Sequence, residues 1–112
     1  MIYKQYDVVV VPFPFTDSLA TKKRPALVIS DAKTFNESTK KSVMAMITTA
    51  SHAPWTLDIS LSDLASTGLN AKSIVRMKLF TLDDALVIKK IGKLAKGDRD
   101  LVQKSLQQLL NL

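Results

Sequence analysis

The sequence contains no cysteine, and this absence excludes several kinds of site. A disulfide framework, a thiolate metal centre and a cysteine nucleophile all require a thiol that this chain does not have. Disulfides are typical of oxidising compartments, so a chain without them fits a reducing cytoplasm. We therefore expect a cytoplasmic protein whose stability comes from packing alone.

Glycine is also scarce, with three residues in the chain, and none forms part of a phosphate-binding loop. Neither GxGxxG nor GxxxxGKS occurs, and the serines lie in no recognisable motif with a base and an orienting partner. The acids form no HExxH pattern, and the adjacent Asp83 and Asp84 are interpreted as helix-capping residues. We therefore expect neither a metal ion nor a cofactor.

No apolar run approaches the roughly 20 residues of a membrane-spanning helix. The segment MIYKQYDVVVVPFPF also lacks the basic stretch and long apolar core of an export signal. We therefore expect no membrane association. The apolar and charged fractions are those of an ordinary globular protein, and the length suits one hydrophobic core, so residues 1–112 are predicted to form a single domain.

Positive charge is the feature that the chain has in excess. The formal net charge is +6, and the lysines and arginines concentrate in residues 21–41 and 71–112. Clustered cations favour polyanions because their binding releases the counterions condensed on phosphates. Charge alone makes nucleic acid the first candidate partner and an acidic protein the second, while a solvated basic surface without a partner remains the alternative.

Six short runs rich in β-branched residues, separated by polar turns, predict strands. They are Asp7–Val11, Ala26–Ser30, Ser42–Thr49, Trp55–Leu61, Ser73–Phe80 and Val87–Leu94. The first two are apolar throughout, which is typical of strands covered on both faces. The strict alternation from Trp55 to Leu61 predicts a half-buried antiparallel strand with Trp55 in the core.

Two segments have helical patterns. Residues 61–66 predict at most a turn or two, ended by Gly68, and residues 96–112 predict an amphipathic helix with Asp98 as its N-cap. The apolar positions expected to pack on the sheet are Leu101, Val102, Leu106, Leu109 and Leu110. The predicted class is α+β, a compact and mostly antiparallel barrel with a C-terminal helix.

The segment KKRPALVIS, residues 22–30, places three cations directly before a proline and a buried strand. Pro25 lacks an N–H and fixes its φ angle, so it suits the first residue of a strand and restricts Arg24 to an extended conformation. A guanidinium anchored in this way suits a phosphate clamp, with Lys22 and Lys23 supplying longer-range attraction. A solvated basic loop is the alternative.

Four segments in this order, YDVVVVPFPFTD, KKRPALVIS, MITTAS and SIVRMKLFTLDDALVIKKIGKL, resemble the MazF/PemK family of toxin–antitoxin ribonucleases. The resemblance implies a homodimer of small SH3-like barrels that cuts single-stranded RNA without a metal. It also implies an acidic antitoxin that blocks the RNA groove. The family's functional residues fall on Arg24, Thr48 and Arg76, which are therefore the expected catalytic residues.

Two positions depart from the family pattern. Lys78 stands where the PemK branch carries an acid two residues after the later arginine, and this removes the obvious carboxylate for acid–base work. Tyr6 stands where the family usually has a glycine, and we expect only a local adjustment of the backbone. His52, the single histidine, is a secondary candidate for proton transfer together with Lys78.

The loop between the first two strands, Pro12–Lys23, is expected from the resemblance to border the RNA channel. Its phenylalanines are candidates for stacking on bases, although one or both could instead close the end of the barrel. The predicted RNA contacts are Phe13, Phe15, Thr16, Lys22 and Lys23.

Two alternative functions remain on the same fold. CcdB-type toxins poison DNA gyrase, but that branch relies on a C-terminal Trp-Gly-Ile, whereas this chain ends in QLLNL. A non-catalytic RNA-binding or repressor module is the second alternative, and Lys78 is the feature that favours it.

Overall fold

A computed structural model describes residues 1–13 and 22–112. The strands are β1 (Asp7–Phe13), β2 (Lys22–Val28), β3 (Lys41–Thr49), β4 (Ile59–Ser60), β5 (Ser73–Asp83) and β6 (Lys89–Lys93). The helices are α1 (Glu37–Thr39), α2 (Leu64–Thr67) and α3 (Lys96–Leu110). A π-helical turn, Ala32–Asn36, leads into α1, and a 3-10 turn, Asp84–Leu86, follows β5.

The described strands form one antiparallel sheet in the order β4-β5-β3-β2-β1-β6. The sheet curls into a half-barrel, with α2 against β6 and α3 against β4 and β5. This confirms the predicted class of a small barrel-like sheet with a C-terminal helix. Within the described ranges, no helix is both long and apolar enough to cross a membrane.

The central strands are buried on both faces, as their unbroken apolar sequences predict. Val8 and Leu27 belong to one core cluster, which also receives Val102 from α3. Val9, which follows Val8 in β1, and Ala26, which precedes Leu27 in β2, belong to a second cluster on the opposite face. Each cluster therefore takes alternate residues of the same two strands, and the sheet is held rigidly between them.

The strand predicted over Trp55–Leu61 is wrong for most of its length, because β4 contains only Ile59 and Ser60. The Asp58 carboxylate accepts a hydrogen bond from the Trp55 N–H at 2.8 Å, and Leu57 has a φ of +72°. This turn reverses the chain before β4 and leaves Trp55 49% exposed, so its predicted core position is also wrong.

Pro25 lies inside β2 and does not begin it, contrary to the prediction. It is opposite Val10 of β1, whose carbonyl oxygen accepts a hydrogen bond from Ile88 on the other side. The hydrogen-bonding groups of Val10 therefore point away from β2, and this pair exchanges no backbone bonds. Since β2 pairs with β3 only from Ala26 onward, the missing N–H of Pro25 costs the sheet no bond.

Helix α3 starts earlier than predicted, with Ala95 as its N-cap. Asp98 is 1% exposed and accepts hydrogen bonds from the Ser62 N–H, the Ser62 hydroxyl and the Asp63 N–H, so it connects α3 to the segment that precedes α2. The buried face consists of Asp98, Val102 and Ser105 at helical spacing. The predicted packing holds for Val102 and Leu106, whereas the exposed apolar residues of the helix are Leu101, Leu109 and Leu110.

Two local features of the backbone add to what the sequence predicts. The helical segment that contains α1 lies in a stretch without a predicted helix, where the Asp31 carboxylate caps the first turn by accepting from the Thr34 N–H at 2.8 Å. Tyr6 has a φ of +73°, so it takes the left-handed conformation that a glycine favours. Tyr6 carries this conformation without being a glycine: its N–H donates to the Val28 carbonyl oxygen, and its own carbonyl oxygen accepts from the Leu94 N–H.

Candidate active site

The site is formed on the sheet face that carries the second core cluster. Phe13 lies two residues beyond the buried Val11, and Arg24 lies two residues before the buried Ala26. Thr48 likewise follows Met44 of the same cluster by four residues. Because residues two apart in a strand share a face, the side chains of Phe13, Arg24 and Thr48 extend this face beyond the core.

An irregularity between β3 and β5 places Arg76 opposite Met46 on this face. Ala45 pairs with Leu79, but the next residue, Met46, pairs with Arg76, so β5 has two extra residues at this point. Two residues are one full period of the strand alternation, so Arg76 stays on the face of Phe80 and Leu82, while the bulge bends the strand at this point. The result is a cavity of about 170 Å³, whose lining includes Phe13, Arg24, Thr48, Trp55, Arg76 and Lys78.

Arg76 is 9% exposed and is fixed on three sides. Its Nε and one terminal nitrogen donate to the two carboxylate oxygens of Asp58 at 3.2 and 3.0 Å, and the same terminal nitrogen donates to the Ala53 carbonyl oxygen at 2.7 Å. The guanidinium carbon lies 4.8 Å from the centre of the Trp55 ring. This geometry leaves Arg76 little freedom to follow a substrate.

The Asp58–Arg76 pair stabilises both charged forms. The hydrogen bond from Arg76 is the main cause that holds the pKa of Asp58 below its usual value, with the Trp55 N–H acting in the same direction against the effect of burial. The same hydrogen bond raises the pKa of Arg76. Asp58 is therefore ionised at neutral pH and compensates most of the charge that Arg76 brings to the cavity.

Arg24 is in a different electrostatic position. It is partly exposed, and its guanidinium carbon lies 5.6 Å from the centre of the Phe13 ring. None of the acidic side chains in residues 1–13 and 22–112 forms an ion pair with it. Among the described groups, Arg24 therefore presents an uncompensated positive charge to the cavity. Its position is fixed, because β2 is buried from Ala26 onward.

Thr48 has a titratable neighbour. Its hydroxyl lies 2.8 Å from Nδ1 of His52, and the Thr49 hydroxyl lies 3.1 Å from the same nitrogen. The ring is exposed and sits at the turn that follows β3. The structure thus brings the secondary candidate His52 into contact with the predicted catalytic Thr48.

The remaining predicted residues are less closely grouped. Lys78 is exposed and lines the cavity, whereas Lys22 and Lys23 are exposed and do not line it. By strand alternation, Lys23 points to the face opposite Arg24. Phe15 and Thr16 lie outside the described residues. In the described part of the chain, no group of three or more histidine or acidic side chains is arranged to hold a metal ion.

Sequence reasoning missed two residues of the site, Trp55 and Asp58. Both lie in the stretch whose alternation predicts a strand, and that pattern puts Trp55 in the core and Asp58 on the opposite face of the strand. A contrary signal is present in Pro54, because a proline directly before Trp55 marks a turn or the edge of a strand.

The family model described as "PemK-like, MazF-like toxin of type II toxin-antitoxin system" matches residues 4–110. The chain belongs to this toxin family. The match covers the cavity and every element of the sheet, so the resemblance found in four short segments extends to the whole fold. No curated protein sequence matches the chain significantly.

Solved structures of MazF toxins share the fold of this PemK-like chain. A MazE–MazF crystal structure from Deinococcus radiodurans matches with a TM-score of 0.77 and 21% identity, covering 100% of this chain and 99% of that chain. An endoribonuclease in complex with its cognate antitoxin from a Mycobacterial species matches with a TM-score of 0.76 and 16% identity, over 98% and 96%. The Mycobacterium tuberculosis toxin MazF-mt6 matches with a TM-score of 0.74 and 18% identity, over 95% and 97%.

Proposed function

We propose that this PemK-like toxin is an endoribonuclease that cuts single-stranded RNA at a short sequence without a metal ion. The observation that supports this most directly is the guanidinium of Arg24, which has no acidic partner among residues 1–13 and 22–112 and faces the same cavity as Thr48. A fixed cation beside a hydroxyl is the arrangement that binds a phosphodiester and stabilises added negative charge on it.

The reaction that suits these groups uses a nucleophile from the substrate itself. The ribose 2′-oxygen attacks the adjacent phosphorus, the bond to the 5′-oxygen of the next nucleotide breaks, and the products are a 2′,3′-cyclic phosphate and a 5′-hydroxyl. The protein has to hold the attack in line, assist the two proton transfers and stabilise charge on the non-bridging oxygens.

The residues divide these tasks by their surroundings. Arg24 binds the scissile phosphate, because no acidic side chain in the described part of the chain pairs with its charge. Thr48 donates its hydroxyl to a non-bridging oxygen, and Arg76 positions the leaving side of the phosphate from its fixed place beside Asp58. Arginine is a poor base because its pKa exceeds about 12, so Arg24 does not remove the 2′-proton unaided.

His52 has the position to support Thr48. With a hydrogen on Nδ1, the ring donates to the Thr48 oxygen at the observed 2.8 Å, and this leaves the threonine hydrogen free to point at the phosphate. Lys78, exposed at the same cavity, adds positive charge where the PemK branch carries an acid.

Substitution of His52 separates these effects. We expect His52→Ala to lower the cleavage rate by about tenfold, which is less than the roughly 10²–10⁴-fold of a group that transfers the proton itself, because His52 acts through Thr48. His52→Asn keeps a hydrogen-bonding atom near the position of Nδ1 and is expected to retain more of the rate. A pH–rate profile of His52→Ala that matches the parent protein contradicts a role for His52.

The direct test of the function is incubation of a long, mostly unstructured RNA with purified protein in EDTA, followed by mapping and chemical analysis of the ends. We expect cuts at one short recurrent sequence with 5′-hydroxyl ends. RNA that stays intact while the protein binds it would contradict the nuclease and favour the non-catalytic RNA-binding module, with Lys78 as the first residue to change.

We further propose that the chain acts in the cytoplasm as a homodimer and that a separately encoded acidic antitoxin blocks the groove. Membership of a type II toxin–antitoxin family supports a protein partner of this kind. The net charge of +6 makes an acidic, extended segment the complementary ligand for the surface that binds RNA.

A further inference from the structure

We propose that Trp55 is the stacking platform for one unpaired base next to the scissile phosphate. The inference rests on the proposed function for its substrate class, single-stranded RNA, and it adds a binding residue that sequence reasoning placed in the core. It follows from the exposure of the ring, from the way the ring is fixed, and from the charges around it.

The position of Trp55 is unusual for the largest apolar side chain. It is 49% exposed, yet it belongs to the lining of the cavity that also contains Arg24 and Thr48. An indole offers a wide, rigid surface with only two side-chain torsions to restrict, so a planar ligand stacks on it at a low entropic cost. A base bound there lies beside the groups that hold the phosphate.

The Asp58–Arg76 pair fixes both the backbone and the ring of Trp55. Asp58 accepts the Trp55 N–H at 2.8 Å, and Arg76, which Asp58 holds by two hydrogen bonds, places its guanidinium 4.8 Å from the ring centre. The ring is therefore oriented before any ligand binds. Such preorganisation is what a binding surface on a loop needs, because an unsupported exposed side chain loses rotamer freedom on binding.

The charge pairing of Arg76 explains why its main role is to hold the Trp55 ring and not to bind the RNA phosphate. Arg76 is already paired with Asp58 and with the Ala53 carbonyl oxygen, whereas Arg24 has no acidic partner among the described residues. The phosphate is thus drawn to Arg24 and Thr48, and the adjacent base reaches Trp55. Because a base within a duplex is already stacked on its neighbours, this arrangement also selects single strands over double strands.

Trp55 is the only tryptophan of the chain, so its fluorescence reports on the proposed contact without interference. The probe is a short 2′-O-methyl RNA, which lacks the nucleophile and stays intact. It carries the mapped cleavage sequence, or mixed sequence if no RNA is cut. We expect saturable quenching of Trp55, and loss of this quenching when an abasic unit replaces the base at one position, while abasic units elsewhere leave it in place.

Binding of the same RNA, labelled and followed by anisotropy, gives a second measurement. Trp55→Leu keeps an apolar side chain without an aromatic face, and it is expected to weaken binding about 5- to 150-fold, which corresponds to the loss of one stacked base. Trp55→Phe keeps a smaller ring and is expected to lose less. Thermal unfolding of both variants checks that the fold is unchanged.

The outcomes separate this proposal from the nuclease. Binding without quenching, or equal affinity of Trp55→Leu and the parent protein, overturns the platform even if unmodified RNA is cut. Quenching that one abasic position removes supports the platform even if unmodified RNA stays intact, in which case only the nuclease fails. A protein that does not bind the RNA at all overturns the platform.

Discussion

Replacing Arg24 with alanine is expected to lower the rate of RNA cleavage by about 10²–10³-fold while the fold remains intact. The magnitude is that of removing one preorganised group that stabilises charge in a transition state. Arg24 is partly exposed, and no ion pair joins it to the described residues, so its loss leaves no buried acid without a partner. The rate is measured on an RNA that contains one mapped cut site, and the fold by thermal unfolding.

Two variants act as controls for the Arg24 prediction. Lys23→Ala removes the same charge one residue earlier in β2, but its side chain points to the opposite face of the sheet, so we expect a change of less than about fivefold. Arg24→Lys keeps the charge and loses the planar fork, and an intermediate rate is expected.

The comparison of these variants decides what Arg24 does. A loss specific to Arg24→Ala, with partial recovery in Arg24→Lys, supports a phosphate clamp in the cavity. Equal losses in Lys23→Ala and Arg24→Ala would mean that the cations act only through general attraction of RNA, and unchanged cleavage in Arg24→Ala would contradict the proposed mechanism.

The parts of the fold that could be predicted from the sequence are those in which local pattern and tertiary burial agree. The apolar runs around Val8 and Leu27 predict strands covered on both faces, and the structure confirms it with a core cluster on each side. Arg24, Thr48 and Arg76 could be selected from the family resemblance, and strand alternation together with the β5 bulge brings them to one cavity.

The errors arise where a long-range contact overrides a local pattern. The alternation around Trp55 has the period of a strand, but the bond from its N–H to Asp58 and the pairing of Asp58 with Arg76, 18 residues away, turn the chain instead. Asp98 has the residue type of an N-cap, yet it is used three residues inside α3 because Ser62 and Asp63 need a buried acceptor. The local sequence around Asp58 does not indicate its pairing with Arg76, and the sequence around Asp98 does not indicate its bonds to Ser62 and Asp63.

The second large effect is expected at Asp58. Asp58→Ala is predicted to lower the free energy of unfolding by about 2–3 kcal/mol, because it leaves Arg76 nearly buried without its charge partner. For a domain of this size that loss corresponds to roughly 10–15 °C in the melting temperature. Thermal and urea unfolding measure it. Cleavage should fall as well, since both Arg76 and the turn that carries Trp55 depend on this carboxylate.

The chain offers a matched control in a second aspartate that forms an ion pair with a basic residue distant in the sequence. The Lys41–Asp83 pair joins β3 to β5, but its side chains are 50% and 53% exposed, against 11% and 10% for Arg76 and Asp58. Asp83→Ala is therefore expected to cost less than about 1 kcal/mol. If the two aspartate variants are equally destabilised, burial does not distinguish the pairs and the role assigned to Asp58 is wrong.

The dependence on pH gives the Asp58 prediction a sign. The hydrogen bond from Arg76 lowers the pKa of Asp58 in the folded state, so the unfolded chain takes up this proton at a higher pH than the folded protein does. The stabilising contribution is fully present above the unfolded pKa of about 3.9 and is lost as the pH falls through the lower folded value. Asp58→Asn has no carboxylate to titrate there. The difference in unfolding free energy between the parent protein and Asp58→Asn should therefore be constant at neutral pH and shrink below about pH 4. A difference that stays unchanged at acidic pH would mean that the shape of the side chain, and not the ionised pair, fixes Arg76 and Trp55.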